Sequence, residues 1–238
     1  MCRLLGVISS RGVPEQLLAD FVALAEKGKI GADFGCSGDR TRGHKDGWGI
    51  AMLGEKELFY REGVPATESQ KINEVLKEVT GLKLVYLIMH LRRASEKETV
   101  SAQHSHPFFA EQERRKYFFA HNGSLENYRA MAHGGMIDSE YIFQQLLKEI
   151  EKGLIHSVRK LRESLNYTAL NFLLLSPGEI YAYRDARKCI NYFSLYYASR
   201  EGFHVVCSER LKHPGLRWKR MKNPSLLRMT EKGVEVLI

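Results

Sequence analysis

The sequence predicts an α+β protein in which antiparallel strands are layered against helices. Apolar runs of strand length lie on both sides of a helical block at residues 139–165, and connections of hairpin length join many of them. No glycine-rich phosphate loop is present. This order fits a layered α+β arrangement better than a repeat of strand–helix–strand units.

The first elements are a strand, a helix and a hairpin. Residues Leu4–Ser9 read as a strand that begins almost at the terminus. Pro14 stands where a first helical residue is favoured, and apolar residues follow at helical spacing over 17–25. Gly47–Leu53 and Leu58–Arg61 flank a Gly-Glu-Lys turn, which predicts a hairpin.

The middle of the chain predicts a helix over 69–79 and two buried strands. These strands, Leu84–Leu91 and Tyr117–Ala120, each end at a polar cluster, which indicates a site at the strand ends. The helical block follows as Ser139–Lys152 and Leu154–Leu165, with a glycine between them. Short apolar runs separated by turns then predict an antiparallel sheet: Ala169–Leu175, Ile180–Tyr183, Tyr192–Ala198, Val205–Cys207 and Val234–Leu237.

Length and composition restrict the class of protein. The chain has 238 residues, of which 44% are hydrophobic and 27% charged, so disordered, collagen-like and disulfide-scaffold classes are excluded. No linker or repeat interrupts it, and we predict one domain over residues 1–238. The longest apolar stretch, Leu84–Met89, is far shorter than the roughly 20 residues that span a bilayer. With no apolar segment long enough for a secretory signal, we expect a cytoplasmic protein without a membrane partner.

Charge and cysteine content restrict the partners. Lys and Arg number 36 against 28 Asp and Glu, which gives a formal net charge of +8, but apart from clusters at 114–116 and 217–222 the positive residues are scattered. A solvated basic surface is therefore favoured over a nucleic-acid interface. The cysteines form no C-x-x-C pair, so we expect reduced thiols and no metal site, and no motif requires a cofactor. The four cysteines are Cys2, Cys36, Cys189 and Cys207.

Cys2 is the most informative single position. Only Met1 precedes it, so removal of Met1 would place a thiol and a free α-amine on one residue. An α-amine has an ordinary pKa of about 7.7 to 8 and can accept the thiol proton near neutral pH. Taken alone, a buried structural cysteine is the simpler interpretation.

Two polar clusters follow the predicted buried strands. In the first, at 90–95, Arg92 could hold a carboxylate through two parallel hydrogen bonds, although this cluster taken alone favours a solvated charged turn. In the second, Asn122 offers an amide donor and Gly123 a closely approachable backbone N–H, which together could form an oxyanion hole. An Asn-Gly hairpin turn is the alternative, and spacing alone does not separate the two.

Two further segments could contribute to a site. Asp138 or Ser139 could cap the helix that begins there, and Asp138 could also pair with a substrate ammonium. In the segment Asp46-Gly47-Trp48-Gly49, the glycines flank a rare tryptophan at a strand start, which indicates either a wall of a binding site or a bulge. We include Gly47 and Trp48 among the predicted substrate-binding residues.

Taken in order, these segments resemble the class II glutamine amidotransferases, and within that class the stand-alone branch. Clear motifs run from residue 2 to about 145, and Cys207-Ser208-Glu209-Arg210-Leu211 is similar to a later motif of the same domain. The motifs that carry the resemblance are Met1-Cys2-Arg3-Leu4-Leu5-Gly6, Asp46-Gly47-Trp48-Gly49, His90-Leu91-Arg92-Arg93-Ala94-Ser95, His106-Pro107-Phe108, His121-Asn122-Gly123 and Asp138-Ser139-Glu140.

The resemblance implies a fold and a chemistry. The fold is that of the N-terminal-nucleophile hydrolases, a four-layer αββα sandwich of two antiparallel sheets. Cys2 would attack the side-chain amide of glutamine while its α-amine moves the proton, and Asn122 with the Gly123 N–H would hold the oxyanion. Arg92 would clamp the α-carboxylate of the substrate and Asp138 its α-ammonium.

The resemblance leaves the exact substrate undecided. Ser95 stands where the family often has Thr and could contact the α-carboxylate, whereas Arg93 and Glu96 depart from residues common in other branches. Stand-alone relatives include hydrolases of γ-glutamyl peptides and amides, so the small-molecule substrate is glutamine or a γ-glutamyl compound. The alternatives are a glutaminase subunit of a separate synthase, and a non-catalytic basic binding or regulatory subunit that retains the fold.

Overall fold

A computed structural model describes residues 2–126, Tyr128 and residues 135–238. Two antiparallel sheets face each other, and helices cover the outer face of each sheet. The architecture is therefore a four-layer αββα sandwich, which confirms the predicted fold class. Met1, whose removal the sequence raised as a question, lies outside the described residues.

Thirteen strands and five α-helices follow one another along the described ranges. In chain order they are β1 (Arg3–Ser9), α1 (Glu15–Val22), α2 (Leu24–Lys27), β2 (Trp48–Gly54), β3 (Leu58–Glu62), α3 (Ile72–Thr80), β4 (Val85–Leu91), β5 (Phe108–Gln112), β6 (Arg115–Leu125), α4 (Asp138–Lys148), α5 (Leu154–Ser164), β7 (Tyr167–Ser176), β8 (Glu179–Arg184), β9 (Tyr196–Arg200), β10 (Phe203–Cys207), β11 (Lys219–Arg220), β12 (Ser225–Thr230) and β13 (Gly233–Val236).

The two sheets contain seven and six strands. The first sheet has the order β11-β9-β10-β1-β4-β2-β3, and the second has the order β13-β12-β8-β7-β6-β5. The N-terminal strand β1 thus lies in the interior of its sheet, between β10 and β4. In the second sheet β6 pairs with β5 and β7. The predicted nucleophile Cys2 directly precedes β1, and β6 carries the predicted oxyanion donors Asn122 and Gly123.

Successive side chains of a strand point to opposite faces of its sheet. Alternate residues of one strand therefore belong to different apolar layers. On β1, Leu5 and Val7 pack in the cluster under helices α1 and α3, whereas Leu4 and Ile8 pack in the cluster between the sheets. On β6, Phe118 faces the space between the sheets and Phe119 packs under helices α4 and α5. The interior is therefore three apolar layers separated by the two sheets.

Several element boundaries differ from the sequence-based prediction. The predicted strand at 117–120 is the centre of the longer strand β6, so Asn122 and Gly123 lie within a strand and pair with Asn171 and Leu170 of β7. The alternative interpretation of these two residues as a hairpin turn is therefore wrong. Strands β5, β11 and β12 were not predicted. The strand predicted from Tyr192 begins only at Tyr196.

The expectation that all cysteines are reduced is wrong for two of them. Cys36 and Cys189 form a disulfide across a sequence separation of 153 residues, with their Cα atoms 5.8 Å apart. Cys2 and Cys207 are free. Sequence spacing did not reveal the pair because the fold, not local sequence, brings the two segments together.

Within the described ranges, no helix combines the length and the apolar character needed to cross a membrane. The longest α-helices, α4 and α5, have 11 residues each. A span of the hydrocarbon core needs about 20 residues.

The layer between the sheets generates a stability prediction at Ile88. This residue of β4 is fully buried in the cluster between the sheets, so Ile88→Ala leaves a cavity there. We expect a loss of about 2 to 5 kcal/mol in the free energy of unfolding, measured by urea denaturation. The control is Val236→Ala at a position 59% exposed, which should change the free energy of unfolding by less than about 0.5 kcal/mol. Equal losses in the two variants would contradict the assigned layer.

Candidate active site

Strand register brings three predicted site residues to one end of the gap between the sheets. Arg3 pairs with Leu91 across β1 and β4, so one further step places Cys2 opposite Arg92. Side chains two residues apart on an extended chain point to the same face. Cys2 is two residues from Leu4, and Arg92 is two residues from His90, so both side chains are directed toward the second sheet. Asn122 faces the same gap from β6, two residues beyond Ala120.

Cys2 is held by both sheets. Its backbone N–H donates a 3.0 Å hydrogen bond to Oδ1 of Asn122. Its Sγ lies 3.4 Å from the backbone nitrogen of Arg93 and 3.7 Å from the Arg93 carbonyl oxygen. The residue is 9% exposed and lines a cavity of about 230 Å³. The sulfur therefore reaches the cavity and is not sealed in an apolar interior.

Asn122 has one satisfied and one unsatisfied end. Oδ1 accepts the hydrogen bond from Cys2, whereas Nδ2 is buried and has no hydrogen-bond partner among the described residues. An unpaired buried amide donor costs about 1 to 3 kcal/mol, and such groups are uncommon in native structures. A hydrogen-bond acceptor on a bound ligand would therefore pair with the Nδ2 group next to Cys2.

Gly123 follows Asn122 in β6 and lines the cavity. A Cβ at this position would collide with the backbone carbonyl of Ala169 on β7. Because backbone atoms cannot rotate away as a flexible side chain can, only glycine fits here. The missing side chain also leaves the main chain at 123 open to a ligand.

Arg92 is a buried cation at the cavity wall. It is 4% exposed, and burial lowers the pKa of its guanidinium below the ordinary value. Its Nη atoms donate to the backbone oxygen and Oγ1 of Thr99, both at 2.8 Å. No carboxylate of the described chain forms an ion pair with it within 4 Å. A guanidinium fixed in this way is prepared for an anionic group entering the cavity.

Asp138 also lines the cavity, from the first turn of α4. Its Oδ2 accepts the backbone N–H of Leu125 at 3.1 Å, and its Oδ1 accepts the hydroxyl of Ser139 at 3.2 Å. The carboxylate is therefore oriented by β6 and does not cap its own helix. Ser139 also lies 2.8 Å from Nδ1 of His121, which extends the hydrogen-bonded group across the cavity wall.

The other predicted substrate contacts are placed differently. Ser95 lines the cavity. Gly47 contributes through its carbonyl, which accepts the backbone N–H of Arg92 at 2.8 Å. Trp48 is fully buried under the helices of the first sheet, where its Nε1–H donates to Glu62. The structure does not bring the Trp48 side chain to the cavity, so we assign it no substrate contact.

Residues that sequence reasoning left without a role also line the cavity, among them Glu96, Thr99, His106 and Tyr128. Tyr128 donates to Glu96 at 3.2 Å. His106 belongs to a motif that the sequence did single out, whereas Thr99 had no signal beyond its closeness to Arg92. Among the described residues, no group of three or more His, Cys, Asp or Glu side chains is arranged to hold a metal ion.

The side chain of Arg93 connects the site to the segment before β2. It forms an ion pair with Asp39 at 2.5 Å and donates to the carbonyl of Thr41 at 2.6 Å. Cys36, three residues before Asp39, is joined to Cys189. The residue that contacts Cys2 Sγ is thus fastened to a disulfide-bonded segment.

The chain matches the family described as class II glutamine amidotransferases over residues 1–212, and it therefore belongs to that family. This confirms the resemblance stated from the motifs. The protein YafJ of Escherichia coli strain K12, provisionally named a glutamine amidotransferase, is 28% identical over 194 residues, which cover 75% of this chain and 70% of YafJ. An uncharacterised protein of Methanocaldococcus jannaschii is 34% identical over 167 residues, 62% of this chain and 45% of that protein.

Solved structures show the same fold. The glutamine phosphoribosylpyrophosphate amidotransferase of Bacillus subtilis, complexed with ADP and GMP, superimposes with a TM-score of 0.70 at 19% identity. The match covers 99% of this chain and 48% of that enzyme. A glutamine aminotransferase class-II domain protein of Silicibacter pomeroyi gives 0.63 at 20% identity, with 99% and 98% covered. The chain thus spans about half of the Bacillus enzyme and less than half of the Methanocaldococcus protein.

Three buried histidines around the site generate a pH prediction. Burial lowers the pKa of His90 to about 3 and also lowers the pKa values of His106 and His121. In the unfolded chain each titrates near 6.5. Below that pH the unfolded chain takes up protons that the folded protein does not, so the free energy of unfolding should fall as the pH decreases from 6.5 to 5. The slope is up to about 1.4 kcal/mol per pH unit for each histidine.

Urea denaturation at pH 7, 6 and 5 measures this slope. His90→Gln should reduce it, because one of the protons taken up on unfolding is removed. Val236→Ala, which removes no titrating group, should retain the wild-type slope. A slope unchanged by His90→Gln would contradict the assignment of His90 as a buried neutral imidazole.

Proposed function

We propose that this protein cleaves the γ-glutamyl amide of glutamine or of a related γ-glutamyl compound through a thioester on Cys2. The observation that carries the proposal is the shared amide of Asn122, whose Oδ1 holds the Cys2 nitrogen while Nδ2 remains an unsatisfied donor beside the thiol. A nucleophile, a base and an oxyanion donor would then be fixed by one side chain.

The base is the α-amine that removal of Met1 would create on Cys2. The nitrogen already lies 3.0 Å from Asn122 Oδ1, so the liberated amine would be oriented by the same hydrogen bond. It takes the thiol proton as Sγ attacks the amide carbon, in the manner of an N-terminal threonine activated by its own amine. It then returns the proton to the departing nitrogen, and the carbon–nitrogen bond breaks.

The oxyanion that forms during attack would be held by Nδ2 of Asn122 and the backbone N–H of Gly123. Two fixed donors in a site with little water stabilise this charge strongly, and loss of one typically raises the barrier by about 2.7 to 4 kcal/mol. The open backbone at Gly123 allows the close approach that such a bond requires.

The α-amino-acid end of the substrate would be bound by two groups of opposite charge that line the cavity. Arg92 would bind the α-carboxylate and Asp138 the α-ammonium, with Ser95 as a further contact to the carboxylate. Both charged groups are already oriented by hydrogen bonds to Thr99 and to Leu125. A cavity of about 230 Å³ is smaller than typical drug-sized sites of about 300 to 1,000 Å³, which supports a substrate of the size of one amino acid.

Ammonia or an amine leaves, and water or another acceptor then attacks the thioester to release the γ-glutamyl group. A separate synthase subunit could take the ammonia. None of these steps uses a metal or a cofactor. That residues 1–238 form one domain and that the protein is cytoplasmic remain predictions from the sequence.

The basic-surface alternative has less support. At 217–222 the indole of Trp218 donates to the carbonyl of Leu211 and packs against the core, so it is not free to stack on a base. At 114–116, Arg115 pairs with Glu179, and Lys116 pairs with Glu57 at 2.6 Å. These ion pairs reduce the free positive charge at 114–116.

The nucleophile can be identified by covalent labelling. Incubation with 6-diazo-5-oxo-norleucine, an electrophilic glutamine analogue, should add one label to a chain that begins at Cys2, as measured by intact mass. Cys2→Ala should lose both the label and glutamine hydrolysis while keeping its unfolding transition. The matched control is Cys207→Ala, which removes the other free cysteine and should keep the label. Hydrolysis retained in Cys2→Ala would refute the assignment.

The role of the α-amine can be tested with the thiol intact. One preparation is processed to begin at Cys2, and the other retains Met1 or one added glycine before Cys2. A peptide bond removes the basicity of the nitrogen, so the extended form should lose about 10²- to 10⁴-fold in kcat. Edman sequencing verifies each terminus. Equal turnover of the two forms would show that the amine is not the base.

A further inference from the structure

His106 lines the cavity although its position in the chain is outside the strands that carry the nucleophile. The residue is 2% exposed, and neither ring nitrogen has a hydrogen-bond partner among the described residues. Buried polar atoms are paired in the great majority of cases. Two unpaired nitrogens on one buried ring at a cavity wall therefore indicate a ligand that would pair with one of them.

Two glycines, Gly47 directly before β2 and Gly49 within it, allow His106 to occupy this position. A Cβ at Gly47 would collide with Oγ of Ser105, and a Cβ at Gly49 would collide with the backbone oxygen of His106. Ser105 is in turn fixed by its hydroxyl, which donates to the carbonyl of Glu62 at 2.9 Å. The Asp-Gly-Trp-Gly segment thus makes room for residues 105 and 106 and sets the position of the imidazole.

The ring itself is held by other rings. His106 contacts His90 with ring centroids 4.2 Å apart and Phe108 with centroids 4.5 Å apart. Arg61, which donates to the carbonyl of Ser105 at 3.1 Å, anchors the preceding backbone. The imidazole is therefore positioned by packing, while its hydrogen-bonding atoms are left for a bound molecule.

The charges around His106 indicate which part of a substrate it would contact. His106 and Arg92 both line the cavity, and the His106 ring packs against the ring of His90, which precedes Arg92 by two residues. Burial keeps the pKa of His106 well below its ordinary value. A ring that stays neutral always carries one N–H donor. A donor beside a fixed guanidinium complements the same anion that the guanidinium attracts.

We propose that His106 is a substrate-binding residue that donates an N–H hydrogen bond to the α-carboxylate of the γ-glutamyl substrate, beside Arg92. The inference rests on the proposed function for the identity of the substrate. It adds a recognition element from the segment between β4 and β5, and it gives the glycines at 47 and 49 a role in shaping the site.

The test compares glutamine with two analogues that each lack one charged group. 4-Aminobutanamide lacks the α-carboxylate, and 4-carbamoylbutanoate lacks the α-amine. Affinities are measured by calorimetry in a Cys2→Ala background, so that binding is observed without turnover. Rates are measured in the protein that begins at Cys2.

His106→Leu should weaken the binding of glutamine and of 4-carbamoylbutanoate by about 10- to 100-fold, as expected for loss of a hydrogen bond to a charged group. The affinity for 4-aminobutanamide should change by less than about threefold, because the group that His106 contacts is absent. His106→Gln, which restores an N–H donor, should recover most of the loss.

A matched control is His204→Leu, which removes another buried histidine. His204 pairs with Ile8, six residues or about 20 Å along β1 from Cys2, and its ring contacts Ser199 and Glu231. His204→Leu should leave the ratio of the affinities for glutamine and for 4-aminobutanamide unchanged.

Equal loss of affinity for glutamine and 4-aminobutanamide in His106→Leu would overturn the proposal, since a structural role affects both ligands alike. Absence of glutamine binding to the Cys2→Ala protein would also overturn it. A third outcome separates the two proposals. If His106→Leu weakens the binding of glutamine but not of 4-aminobutanamide, and the protein beginning at Cys2 does not hydrolyse glutamine, the proposed catalysis is refuted and the role of His106 stands.

Discussion

The hydrogen bond between the Cys2 nitrogen and the Asn122 side chain is the contact on which the site depends. It joins the first sheet to the second at 3.0 Å, at one end of a gap whose apolar side chains include Leu4 and Ala120. Because Asn122 uses its oxygen for this bond, its nitrogen is left as a donor. One hydrogen bond thus both connects the two sheets and orients the groups that we propose to react.

Much of the fold follows from patterns that the sequence displays openly. The buried strands β1 and β4 are continuous apolar runs, and helix α5 has apolar residues at helical spacing that pack under the second sheet. Strand β5 was missed because its residues alternate between buried and exposed over only five positions. The disulfide between Cys36 and Cys189 depends on tertiary proximity and has no local signal.

The structure brings together the residues selected for their chemistry, but not one that was selected for its rarity. Cys2, Arg92 and Asp138, whose roles the resemblance implied, all line the cavity. Trp48 was chosen for its rarity, but its large apolar ring is more stable in the core. The reading of Asn122 and Gly123 as a turn failed because the pairing of β6 with β7, a long-range contact, decides their conformation.

The division between strands and connecting segments has a consequence for evolutionary change. The groups proposed to break the bond stand on or next to β1, β4 and β6, whereas Glu96 lines the cavity from a position outside the strands. Substitution at Glu96 can change the cavity wall without disturbing the paired strands. Divergence in substrate preference would therefore be expected at lining positions of this kind, with the proposed cleavage chemistry inherited unchanged.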